Sequence, residues 1–130
     1  MPFDGTSKSS VAAQSMIVLD RVECFLDGGG RWARRTYRTG DGKCCLLGAI
    51  EHVRCETGLS DDRAAEYLAH AINLRQMRKG LPALGDSDCM AVMGFNDTYR
   101  LQFGDILEVV RQARELARLD AFVSSLESNQ

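Results

Sequence analysis

Two adjacent cysteines, Cys44 and Cys45, follow a glycine-punctuated turn, Thr39-Gly40-Asp41-Gly42-Lys43, and lead into the apolar run Leu46-Leu47-Gly48-Ala49-Ile50. With Asp41 as a helix cap, Cys44 stands at the third helical position, among unpaired amide donors and near Lys43 and a cluster of arginines. Helix N-termini and adjacent cations lower a thiol pKa, which is how reactive cysteines are made. His52 lies two turns beyond Cys45, and Asn96 has the chemistry to orient an imidazole, giving a Cys-His-Asn set by composition. Asp97, a carboxylate beside Asn96 after an aromatic residue, is the last catalytic candidate. The competing readings are plainer and are favoured. Free cysteine is a small buried hydrophobe, and Asn-Asp after an aromatic residue forms turns.

The second candidate is a ligand-binding loop. Arg31, Arg34, Arg35 and Arg38 fall within eight positions, with Trp32 and Tyr37 between them. Guanidinium groups grip phosphates and aromatic rings stack bases. Acidic residues outnumber basic ones in the chain, and Asp27, Asp41 and Glu51 are close enough in sequence to pair with these arginines. A solvated or salt-bridged loop is therefore preferred, and nucleic acid is the less favoured partner. His52, His70 and the cysteines have no close ligand spacing and no HExxH pattern, so neither metal nor cofactor is expected. Gly28-Gly29-Gly30 lacks the GxxxxGK[ST] spacing of a phosphate loop and follows a helix.

The elements that must position these groups are helices. A chain of 130 residues, 45% hydrophobic and 26% charged, reads as one ordinary globular domain. Its longest apolar run is far short of the roughly 18 residues that span a bilayer. Five cysteines without CxxC spacing, and a start lacking an apolar signal region, point to reduced thiols in a bacterial cytoplasm. Val11, Val18, Leu19, Val22, Phe25 and Leu26 predict a first helix from Ser9 or Ser10 to about Asp27, stopped by the three glycines. A basic loop over Arg31 to Lys43 follows, with Trp32 folding back onto the core. A second helix is predicted from Asp41 to Glu56, with Leu46, Ala49, Ile50 and Val53 inward and Gly58 as its terminator. Gly48 in mid-helix implies close approach of another helix or of the Trp32 ring.

Ser60 predicts the cap of a third helix, with Asp61 and Asp62 at its positive end and Gly80 and Pro82 as its stop. Asp88 to Met93 forms a short helix ending at Gly94, and Phe95 to Thr98 a turn. The last helix runs from Gln102 or Phe103 to about Leu126, its stripe of Ile106, Leu107, Val110, Ala113 and Ala117 extended by Leu116 and Phe122. The expected fold is all-α: a compact bundle of four main helices plus one short helix, with the basic loop between helices 1 and 2. Residues 9–127 form the domain, with flexible ends at 1–8 and 128–130. The thiol-bearing turn should lie against Trp32 and the 95–97 corner.

These residues resemble a small bacterial domain family of unknown function. Its pattern is an aromatic residue (Trp32), a short basic loop, then Gly42, Cys44 or Cys45, Leu46, Leu47, Gly48 and Ala49. An aromatic-Asn-Asp triplet (Phe95, Asn96, Asp97) and a helix beginning Asp105-Ile106-Leu107 complete it, over Leu19 to Ala117. Phe95 stands where tryptophan is commoner, and Gln102 where a threonine cap is usual. The resemblance implies the helical fold and carries no activity. The resulting expectation is a domain binding a partner protein or small ligand, without a membrane partner, and with a homodimer as one form. A thiol enzyme and a nucleic-acid accessory protein are the alternatives.

Overall fold

Apolar side chains recurring at three- and four-residue steps give each long helix one buried face. The computed structural model describes residues 8–60, 62–98 and 100–128. Five helices occur there: α1 (Lys8–Leu26), α2 (Leu46–Thr57), α3 (Ala64–Arg78), α4 (Asp88–Asn96) and α5 (Phe103–Ser128). Among the described residues there is no strand, only isolated bridges joining Cys44 to Trp32 and to Arg38. Four main helices and the short α4 thus make the all-α bundle expected. The predicted flexible ends fall outside the described residues, except Lys8 and Ser128, which begin α1 and end α5.

α1 and α5 pack antiparallel: Glu23 late in α1 meets Arg111 and Arg114 early in α5, while Val11 and Val123 share a cleft at the other end. One core cluster joins Leu19 of α1, Ile50 of α2, Leu68 and Ile72 of α3, Phe95 of α4 and Ile106 of α5, each at most 1% exposed. Burying side chains of this size stabilises the fold by about 1.5–3 kcal/mol apiece. The inner stripes predicted for α2 and α3 are buried, with Tyr67 half-buried. Phe122 departs from its predicted place: it is 58% exposed, and its apolar neighbours on the last turns of α5, Leu119, Val123 and Leu126, are 45–51% exposed.

Three helix boundaries also differ from expectation. α2 begins at Leu46, four residues later than an Asp41 cap requires, and its N-cap is Cys45, whose sulfur accepts from the Gly48 amide at 3.4 Å. Asp41 is occupied elsewhere, by the Thr39 hydroxyl and Lys43, in a tight turn closed by Thr39 N–H donating to the Lys43 carbonyl. α3 begins at Ala64, beyond Ser60. Its first amides are met from outside the predicted cap: Ser15 Oγ accepts from Arg63 N at 2.8 Å and Asp62 Oδ1 from Ala64 N at 2.9 Å. Asp61 lies outside the described residues. α4 continues through Gly94 to Asn96, so Phe95 and Asn96 are helical instead of forming a turn. Gly58 ends α2 as predicted, in the left-handed conformation (φ 71°) that glycine adopts without strain.

Gly48 is tight for a reason the sequence did not disclose. A Cβ there would run into the Tyr37 carbonyl of the basic loop, not into a helix or the Trp32 ring. Alanine is better than glycine in an open helix by nearly 1 kcal/mol, but overpacking against backbone costs about 3 kcal/mol. Gly48→Ala should therefore lower stability by a net amount of about 2 kcal/mol in urea unfolding. A variant more stable than its parent would show that the loop does not rest on α2 here.

Candidate functional site

The bridge to Cys44 brings the basic loop onto the start of α2. Cys44 N–H donates to the Arg31 carbonyl at 2.8 Å, and its own carbonyl accepts from Ala33 N at 2.9 Å. Cys44 is therefore extended backbone, not the third residue of a helix, and it is fully buried. Cys45, 7% exposed, has its sulfur turned to the Gly48 amide as a cap. The other three cysteines, Cys24, Cys55 and Cys89, are exposed, and all five are free thiols.

From the far side of the loop, Asn96 closes the arrangement. It is 1% exposed and uses its whole amide. Oδ1 accepts from Trp32 Nε1 at 2.8 Å and from Leu46 N at 3.1 Å, while Nδ2 donates to the Ala33 carbonyl at 3.0 Å and to Asp97 Oδ1 at 3.2 Å. The same Asp97 oxygen accepts from Arg35 N at 2.7 Å. One side chain of α4 thus holds the tryptophan, the loop backbone and the first amide of α2. The juxtaposition expected of Trp32, the thiol turn and the 95–97 corner is present, with Asn96 as its centre.

His52 is not part of that centre. Its ring stacks on Phe25 with centroids 4.2 Å apart. Arg38 Nη2 lies 3.2 Å from Nδ1, and Nε2 lies 3.1 Å from Glu56 Oε2. A guanidinium only donates, so Nδ1 accepts and the neutral ring carries its proton on Nε2, toward the glutamate. Both nitrogens are committed, and neither is bonded to a cysteine or to Asn96. The predicted Cys-His-Asn residues are thus not hydrogen-bonded to one another.

The loop side chains have a different character. Arg31, Arg34, Arg35, Tyr37 and Arg38 are all exposed. Arg31 lies over the Phe25 ring at 5.5 Å and Arg34 over the Trp32 ring at 5.1 Å. Such cation–π contacts contribute about 0.5–1 kcal/mol at exposed sites. Arg35 takes φ 59°, a left-handed conformation; for a side chain with a Cβ this costs roughly 1–2 kcal/mol. Burial raises the Tyr37 hydroxyl above its ordinary pKa, and Glu51 adds to the effect. The expected pairing of these arginines with Asp27, Asp41 and Glu51 does not occur: among the described residues none of the four has a carboxylate within ion-pair distance. By contrast, Arg54, Arg63, Arg75, Arg78, Arg111, Arg114 and Arg118 all do.

Two features carried no sequence signal. Arg54 forks onto Asp62 at 2.7 and 2.8 Å, eight residues away across the α2–α3 connection. A cleft of about 280 Å³ lies where α1 and α3 begin and α5 ends; there the Tyr67 hydroxyl donates to Asp120 at 2.7 Å. Burial and then Asp120 push the Tyr67 hydroxyl far above its ordinary range. None of the predicted site residues lines that cleft. Among the described residues no group of three or more His, Cys, Asp or Glu side chains is placed to hold a metal ion.

A model described as a family of unknown function (DUF6197) matches residues 14–116, in keeping with the resemblance to an uncharacterised family. No curated protein and no solved structure matches the chain significantly.

Proposed function

The chain belongs to that family of unknown function, DUF6197, and we propose its role from geometry: a non-catalytic helical domain over residues 9–127 that binds a partner protein or small ligand. One observation carries the reading. Asn96 spends all four of its bonding positions on Trp32, Leu46, Ala33 and Asp97. An asparagine that orients a catalytic histidine keeps one of those positions for the imidazole. The commitment of His52 to Arg38 and Glu56 supports the same conclusion. On this reading the bonding of amide to indole is structural, and the product of the arrangement is a loop of fixed shape.

The proposal includes a bacterial cytoplasmic location, supported by five free cysteines. Among the described residues no helix is long and apolar enough to cross a membrane. It also includes a homodimer as one form of partnership. Leu119, Phe122, Val123 and Leu126, each 45–58% exposed, follow helical spacing on the last turns of α5 and offer the face for it. Light scattering at twice the monomer mass would support that form.

Alkylation tests the central reading against the thiol-enzyme alternative. With iodoacetamide at neutral pH and peptide mapping, Cys24, Cys55 and Cys89 should label in the native protein, while Cys44 and Cys45 stay protected until denaturant is added. Labelling of Cys44 or Cys45 faster than free cysteine would replace the binding domain with an enzyme.

A further inference from the structure

The basic loop is the surface on which this reading can be made specific. We infer that Arg31, Arg34, Arg35 and Arg38 form a docking face for an acidic segment of another protein, with Tyr37 as its aromatic anchor. The inference rests on the binding-domain reading above and adds the partner's chemistry.

Three observations point to it. First, six of the seven helical arginines, Arg54, Arg75, Arg78, Arg111, Arg114 and Arg118, have carboxylates of this chain beside them, Arg21 being the exception, whereas none of the four clustered in the loop has one among the described residues. The loop supplies donors and leaves the acceptors to come from outside. Second, three of the four guanidiniums are held in place, and the fourth arginine is fixed by its backbone. Arg31 and Arg34 lie over the Phe25 and Trp32 rings, Arg38 is held by His52, and the Arg35 amide is fixed by Asp97. A planar fork fixed in advance loses little freedom when it meets a carboxylate. Third, Arg35 sits at φ 59°, where glycine would be unstrained. The strain keeps a guanidinium at a position whose backbone does not favour one.

Exposed arginine around a tyrosine is the composition of protein interface anchors. A nucleic-acid strand fits less well. Trp32 is not a stacking platform, since its Nε1 is bound to Asn96, Arg34 covers its face and Phe103 lies 6.0 Å away. The loop's five cations face only Asp41 within residues 31–43, yet the chain's net charge is −2. The remainder is therefore acidic and would repel a long polyanion, while a short acidic segment covers the loop alone.

The test uses fluorescence anisotropy with the full chain, a labelled peptide of about twelve residues rich in Glu and Asp, and an oligo-dC of matched charge. The peptide should bind, lose affinity as salt rises, and lose about tenfold more with the paired substitutions Arg34→Ala and Arg38→Ala. Arg111→Ala, on α5, should leave binding unchanged. Arg35→Gly separates binding from folding: it should weaken the peptide while the Tm stays level or rises, which a merely structural arginine would not do. Tighter binding of oligo-dC, or peptide affinity indifferent to the loop substitutions, overturns the inference. So does self-association abolished by the same substitutions, since a second copy would then be the occupant. If the peptide fails while Cys44 and Cys45 remain protected from alkylation, only the docking face is lost and the binding-domain reading stands.

Discussion

Asn96→Ala is expected to destabilise the fold by about 3–5 kcal/mol, at the upper end of what one substitution does. The change removes four hydrogen bonds at a site 1% exposed. It leaves Trp32 Nε1, the Leu46 amide and the Ala33 carbonyl without their partner. An unsatisfied buried polar group costs about 1–3 kcal/mol; Leu46 is fully buried, while Trp32 and Ala33 are partly wet, which sets the total below the maximum. Urea unfolding measures the loss. Because Trp32 is the only tryptophan, its emission should also shift to the red in native buffer as the indole is released. Trp32→Phe gives scale, since it deletes one donor and should cost about 1 kcal/mol from the hydrogen bond alone. An Asn96→Ala protein within 1 kcal/mol of its parent would mean that water replaces the amide, and the clasp would not organise the loop.

The second large effect concerns Asp62, whose carboxylate is 0% exposed and forked by Arg54. It also accepts from the Ala64 amide, so one acid joins α2 to the start of α3. Removing one partner of a buried pair costs about 3–5 kcal/mol. Arg54 is 31% exposed and can rehydrate, so Asp62→Ala should fall near the lower figure, about 3 kcal/mol. Burial alone would raise this carboxyl's pKa, but the Arg54 fork and the Ala64 amide outweigh it and hold the pKa below its ordinary value. The linkage has a definite sign. A folded-state pKa below the unfolded value of about 3.9 gives stability that is complete above that pH and lost as pH falls through the folded value. The parent should therefore lose stability more steeply than Asp62→Asn below about pH 4. Equal acid slopes would remove Asp62 from the account.

How much of this could be read from the chain depends on the range of the interaction. Leu46, Ala49, Ile50 and Val53 were legible as one buried face, because a helical period is written in neighbouring residues. Gly58 was legible for the same reason: its left-handed backbone is a local matter. The start of α2 was not. An aspartate in a glycine turn is a better cap by type than a cysteine, but the bridge from Cys44 to Trp32 and Arg38 holds the chain extended until Leu46. Asn96 and Trp32 were singled out by residue type, and the sequence gives no means of knowing that they bond to each other. Their separation is 64 residues. The partners of His52, Arg38 and Glu56, are near in sequence, but residue type alone does not say that both ring nitrogens are taken by them.

That same separation of 64 residues between Trp32 and Asn96 has a consequence for the newly made chain. At ribosomal rates of about 5–20 residues per second, roughly 3–13 s pass between synthesis of the indole and of the amide that fixes it. Through that interval nascent α1 and α2 lack the residue that sets the connection between them. The loop acquires its final shape only after α4 has emerged and docked, because the bonds to Trp32 and Ala33 come from Asn96.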